Sequence, residues 1–191
     1  IRQRLWKVRA KHVILAQGAF ERPLVFSDND RPGIMLAGAV RTYINQYAVA
    51  PGSQAVVFTN NDDAYRTALV LHARGVKVIS VIDIRKDVTG ELPMKAVTAG
   101  IEIIEEAAIT RVIGTRRVKQ VEVMLLNDSG DSVKGSKILI ECDLVCVSGG
   151  WNPAVHLHSH SGGKNSWRNE DGVFIPDENL QGRTSTGSGK G

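Results

Sequence analysis

Apolar positions fall into short runs whose period changes along the chain. Val8, Ala10, His12 and Ile14 alternate with Arg9, Lys11 and Val13, so residues 7–16 read as a strand that runs into Gly18 and Ala19. The stretch Ser27-Asp28-Asn29-Asp30-Arg31-Pro32-Gly33 is turn chemistry throughout. Leu36, Val40, Tyr43, Ile44 and Tyr47 then recur at helical spacing, and Pro51-Gly52 ends that helix. Residues 55–59 form a short apolar strand, followed by the helix-cap residues Asn60-Asn61-Asp62-Asp63. A helix over 64–74 carries Ala64, Ala68 and Leu71 on one face, and Gly75 suits its end. The strand over 76–82, ending at Asp83, completes a β-α-β unit with a right-handed parallel crossover. A short helix over 93–99 and a strand over 101–104 follow. Residues 108–112, 118–126 and 136–140 alternate over shorter spans, with turns at Gly114 and Asn127-Asp128-Ser129-Gly130, and predict an antiparallel meander. Residues 143–147 return to a buried apolar strand that ends in Ser148-Gly149-Gly150-Trp151-Asn152-Pro153. Beyond Val155 the pattern weakens, with a short strand at Phe174-Ile175-Pro176 and a glycine-rich tail over 187–191.

Composition narrows the class. A chain of 191 residues with 42% hydrophobic and 23% charged residues can bury a core in one domain or two, which excludes a disordered, collagenous or coiled-coil chain. No apolar run reaches the length of a membrane span. The opening Ile1-Arg2-Gln3-Arg4 lacks the apolar core of a signal peptide. The net charge of +4 is scattered, and aromatic residues at 5% are too sparse for a base-stacking platform, so nucleic acid is not an expected partner. Cys142 and Cys146, if placed on one strand, would stand about 13 Å apart, beyond the reach of a disulfide. They are read as two buried reduced thiols, which suits a cytoplasmic protein.

The β-α-β unit invites a dinucleotide, with Asp83 placed where an acid would meet a ribose. Its turn, however, carries no glycine, and Asp62 and Asp63 put negative charge where phosphates would sit. The terminal Gly182-Arg183-Thr184-Ser185-Thr186-Gly187-Ser188-Gly189-Lys190 has Ser188 where a phosphate-binding loop needs lysine. His156, His158 and His160 alternate without a carboxylate or cysteine beside them and read as surface loop histidines, not metal ligands. There is no nucleophile elbow, and no residue is singled out as catalytic. The two strand-end loops, Leu15-Ala16-Gln17-Gly18-Ala19 and Val147-Ser148-Gly149-Gly150-Trp151-Asn152-Pro153, offer small residues where α/β sheets receive ligands.

Those loops, in order with Glu21-Arg22-Pro23-Leu24-Val25-Phe26, Asn29-Asp30-Arg31-Pro32-Gly33-Ile34-Met35-Leu36, Val56-Val57-Phe58-Thr59-Asn60-Asn61-Asp62 and Ser148-Gly149-Gly150-Trp151-Asn152-Pro153-Ala154-Val155-His156, resemble the α subunit of heterotetrameric sarcosine oxidase. The resemblance covers most of residues 5–165, with Gln17 standing where the family motif usually has Thr. It implies an α/β fold, a Rossmann-like parallel sheet with helices and an antiparallel meander, of the pyridine nucleotide-disulfide oxidoreductase type. Residues 1–45 and 141–191 would then belong to a first nucleotide-binding domain, and 46–140 to an inserted one. NAD would be the bound nucleotide, with FAD and FMN in the parent complex and β, γ and δ subunits as partners. The glycine fingerprint for the pyrophosphate would lie upstream of Ile1 and a folate-binding domain beyond Gly191, so the chain alone is expected to be inactive and prone to self-association. On this reading Gln17, Gly18, Ala19, Arg22, Ser148, Gly149, Gly150 and Trp151 are the cofactor-contact candidates, with Trp151 a wall of the site. Arg22 would meet a phosphate or pair with Asp28 or Asp30. Two other readings are a cofactor-free Rossmann-like assembly module and an α-type subunit of a related opine- or cyanide-forming amine dehydrogenase.

Overall fold

A computed structural model describes residues 3–177 and 181–191; the first two residues of the opening segment and residues 178–180 lie outside the described residues. The chain divides into two compact units, residues 1–20 with 151–191 and residues 21–150. The first unit opens with β1 (Val13–Leu15) and β2 (Ala19–Glu21). Strand β1 is much shorter than the 7–16 predicted. Only Leu15 of its residues is buried, while Val8, Val13 and Ile14 are exposed, so alternation upstream had no core to face.

The second unit is built on a parallel sheet. Its strands are β3 (Ile34–Leu36), β4 (Gln54–Thr59), β5 (Lys77–Asp83), β6 (Glu102–Ile104) and, from further along, β10 (Leu144–Ser148), in the order β3-β10-β4-β5-β6. Helices α1 (Ala37–Tyr47), α2 (Asp63–Ala73) and α3 (Glu91–Thr98) lie where the periodicity places them, within two residues at each end. The antiparallel meander is β7 (Ala107–Ile113), β8 (Gln120–Leu126) and β9 (Val133–Glu141).

Strand period decides which layer each side chain enters. Ala55 and Val57 of β4 pack with Val40, Ala64, Ala68 and Leu71 of the helices. Val56 and Phe58, on the other face, pack with Ile109, Val112, Val121 and Val123 of the meander. A sheet covered on both faces accounts for apolar runs that do not alternate. Strand β3 pairs along β10 and α1 packs on the helical face, so both belong to this unit.

Two tertiary contacts close the unit. Asp143, ahead of β10, accepts the backbone N–H groups of Ser53 and Gln54 and the Ser53 hydroxyl, clamping the start of β4. Burial opposes ionisation there, yet the donors from Gln54 and Ser53 win and hold the carboxyl below its usual range. Helix α1 has no capping side chain of its own; Glu21 Oε2 accepts the Gly38 N–H at 2.8 Å.

The first unit resumes with β11 (Trp151–Pro153), which pairs β2, and α4 (His156–His160). Then come β12 (Asn165–Arg168) antiparallel to β13 (Val173–Pro176), and β14 (Arg183–Ser185) parallel to β1. The expected histidine loop is therefore a short helix, and His158 is buried in place of being at the surface. Its Nε2 lies 3.1 Å from the Lys164 carbonyl oxygen and its Nδ1 3.4 Å from the Ser185 hydroxyl, so the ring is a satisfied core group. Among the described residues no helix is long and apolar enough to cross a membrane.

Candidate functional site

In the first unit, β1 and β14 run parallel, so their carboxyl ends lie side by side. Gln17-Gly18 follows one and a tight turn at Gly187–Gly189 follows the other. The Thr186 N–H donates to the Leu15 carbonyl at 2.9 Å and joins the two exits. Ala154 ties the first loop down twice. Its N–H donates to the Gly18 carbonyl at 2.9 Å, and its carbonyl accepts the Gln17 Nε2 at 2.6 Å. Gly18 has φ +76°, a left-handed conformation that favours glycine. A Cβ on Gly189 would come within 3.3 Å of the Gly18 carbonyl oxygen, so two backbones meet there. Gln17 Oε1 is buried and has no hydrogen-bond donor among the described residues. Ala19 lies on β2, which pairs β11; Trp151 on β11 is exposed.

In the second unit, Arg22 and Ser148-Gly149-Gly150 are drawn together. The Arg22 N–H donates to the Gly150 carbonyl at 2.9 Å, and the Gly149 N–H to the Arg22 carbonyl at 2.7 Å. The Arg22 Nε donates to the Gly149 carbonyl at 2.7 Å. Asp28, one of the partners considered for Arg22, is instead engaged by Arg31 and Arg111, both at 3.1 Å. A Cβ on Gly149 would lie 2.9 Å from the Pro23 carbonyl oxygen, so its missing side chain is space the Arg22-Pro23 backbone uses. Asn60 and Asn61, helix-cap residues and part of the resembling segment but not among the cofactor-contact candidates, complete this cluster. Asn60 Nδ2 donates to the Gly149 carbonyl at 3.3 Å, and Asn61 Nδ2 to the Ser148 hydroxyl and carbonyl at 3.1 and 3.2 Å.

The β-α-β crevice of the same unit is filled by its own charges. Asp83, fully buried at the end of β5, accepts the Tyr65 hydroxyl at 2.9 Å, the Arg85 N–H at 3.0 Å and both Nε and Nη2 of Arg85 at 3.0 and 2.8 Å. Arg85 reaches on to Asp62 at 2.8 Å, and Arg41 pairs with Asp63 at 2.8 Å. Burial, then the Asp83 carboxylate, pushes the Tyr65 hydroxyl well above its usual range, and the Asp83 hydrogen bonds hold Arg85 charged. Asp83, positioned in sequence for a ribose, is thus committed to Arg85 and Tyr65. The sequence signal for this pairing is Arg85 itself, two residues past the acid.

Both cysteines are free and buried, as expected, but not on one strand: β9 ends before Cys142 and β10 carries Cys146, in separate core clusters. Burial pushes the Cys142 thiol up to about 12 and Cys146 higher still, which makes them inert. Among the described residues no group of three potential metal ligands occurs.

No protein-family model matches the chain. It is 44% identical over 176 residues to the sarcosine oxidase subunit alpha of Corynebacterium sp. (strain P-1), covering 92% of this chain and 18% of that protein. To the same subunit of Rhizobium meliloti (strain 1021) it is 38% identical over 183 residues, covering 94% and 17%. The chain therefore spans about a fifth of the length of these relatives. The solved thioredoxin reductase of T. acidophilum superposes with a TM-score of 0.73 at 20% identity, over 95% of this chain and 58% of that one. The expected fold class, a Rossmann-like α/β sheet with an antiparallel meander of the pyridine nucleotide-disulfide oxidoreductase type, is the fold this chain has.

Proposed function

Over the segment it spans, the chain belongs with the sarcosine oxidase α subunits, and on that premise we propose that it is part of the α subunit of a flavin-dependent oxidase of secondary amines. Its role there is to hold a nucleotide and to join other subunits. The 44% identity across 92% of the chain carries this reading. The proposed contact residues are Gln17, Gly18, Ala19 and Trp151 in the first unit, and Arg22, Ser148, Gly149 and Gly150 in the second. NAD is the proposed nucleotide for this chain, with FAD and FMN in the assembly, β, γ and δ subunits as partners, and the cytoplasm as its location.

The fit differs between loops. At the end of β1, a glycine-lined backbone and the donorless Gln17 Oε1 suit a neutral, hydroxyl-bearing ligand. At the β4–α2 turn, Asp62 and Asp63 sit at the helix N-terminus and do not suit a pyrophosphate. That second observation favours an alternative in which the β-α-β unit serves assembly alone. A bound nicotinamide or flavin supplies hydride transfer; the residues here would bind and orient it, and none is assigned a proton-transfer role.

Calorimetric titration of the chain with NAD, FAD and FMN tests the reading. Saturable binding of NAD supports it. Absence of binding by all three, with a folded chain by circular dichroism, leaves the assembly reading.

A further inference from the structure

We infer that Gln17 reads a hydrogen-bond donor on the nucleoside part of the ligand, a ribose-type hydroxyl or an exocyclic amine, and makes no contact with phosphate. This rests on the nucleotide reading proposed above.

The orientation of the Gln17 amide is fixed by chemistry. The group 2.6 Å from its Nε2 is the Ala154 carbonyl, which only accepts. Turning the amide over would set two oxygens against each other, so the nitrogen faces Ala154 and Oε1 faces away. Ala154 is itself held, since its N–H is bound by the Gly18 carbonyl at 2.9 Å. The side chain is thus clamped to the loop whose conformation it shares. Its Oε1 is buried and meets no donor among the described residues. A buried acceptor left unpaired is costly, and the bridging pyrophosphate of a dinucleotide, which carries only acceptors at neutral pH, cannot relieve it. A hydroxyl or amine can. The position also suits a ligand, because Gln17 stands at the carboxyl end of β1 beside that of its parallel neighbour β14.

The test is calorimetry of the wild-type chain, Gln17→Ala and Gln17→Met against NAD, FAD, inorganic pyrophosphate, and NAD analogues lacking one ribose hydroxyl or the exocyclic amine. The expected result is an about tenfold weaker Kd for NAD in both variants, the worth of one hydrogen bond, with pyrophosphate binding unchanged. One analogue should bind the wild type about tenfold more weakly yet bind Gln17→Ala as NAD does, which identifies the donor. Equal NAD affinity in wild type and both variants overturns the inference. So does a matching loss for pyrophosphate, which would mean general loop damage; melting temperatures of the two variants report on that directly. If the wild type binds neither NAD nor FAD, the nucleotide reading fails and this inference fails with it, an outcome distinct from wild-type binding that Gln17 does not affect.

Discussion

Two strand exits of this chain occupy like places at the ends of parallel strands and differ in their chemistry. Gln17-Gly18 follows β1, and Asn60-Asn61-Asp62-Asp63 follows β4; each lies at the carboxyl end of a parallel strand. At the β4 exit every carboxylate is matched: Asp83 and Asp62 by Arg85, Asp63 by Arg41. Among the described residues each exit keeps a buried amide oxygen without a donor, Gln17 Oε1 at the β1 exit and Asn61 Oδ1 at the β4 exit, but only the β4 exit sets Asp62 and Asp63 beside it. The lesson is that strand topology offers both loops to a ligand, and the carboxylates at the β4 exit set that loop against a phosphate-bearing one.

The largest effect should come from opening the closed loop. Arg85→Ala removes the countercharge from a fully buried Asp83, and losing one partner of a buried pair costs about 3 kcal/mol. Urea denaturation reads this; a near-neutral result would mean that the Tyr65 hydroxyl and the backbone N–H of residue 85 satisfy the acid without a countercharge. Next, Gly149→Ala forces a Cβ against the Pro23 and Arg22 carbonyl oxygens, at a cost of about 2 kcal/mol. The same substitution at the open loop should be milder. Gly18→Ala meets only the Ser188 hydroxyl, at 3.8 Å, so its cost is the left-handed backbone, about 1 kcal/mol. If Gly18→Ala proves worse than Gly149→Ala, the β1 exit is the tighter of the two and the contrast collapses.

The smallest effect lies at the other end of the sheet, at Asp143. Its carboxyl ionises more readily folded than unfolded, so its contribution is fully present above its usual value of 3.8 and is lost as pH falls through the lower folded value. Asp143→Asn should therefore lose under about 1 kcal/mol at neutral pH, since the site is partly solvated. The wild-type and variant stability curves should converge as the pH falls below that folded value. Parallel curves down to the lowest pH would show that the clamp does not depend on charge.

Much of the fold was legible. The switch from helical spacing over 36–47 and 64–74 to alternation over 108–140 separated the parallel sheet from the meander, because each layer has its own period. The strand predicted over 7–16 shrank to three residues, since alternation specifies a strand only where a core covers one face. Of the three histidines, His156 and His160 are exposed, as expected, while His158 is buried because Lys164 and Ser185 come to it from later in the chain.

By itself, then, the sequence determined the order of elements, the two-faced burial of the central strands, the unbridged cysteines and the family. Each of these follows from spacing within a few residues or from ordered motifs. Only the tertiary structure decided the chemistry of the strand exits. Whether Arg22 points to Asp28 or to the Gly149 carbonyl, and which way the Gln17 amide faces, depend on groups up to 137 residues apart. Hydrogen bonds and ion pairs act over about 3 Å in space, so sequence spacing carries no record of them until the chain has folded.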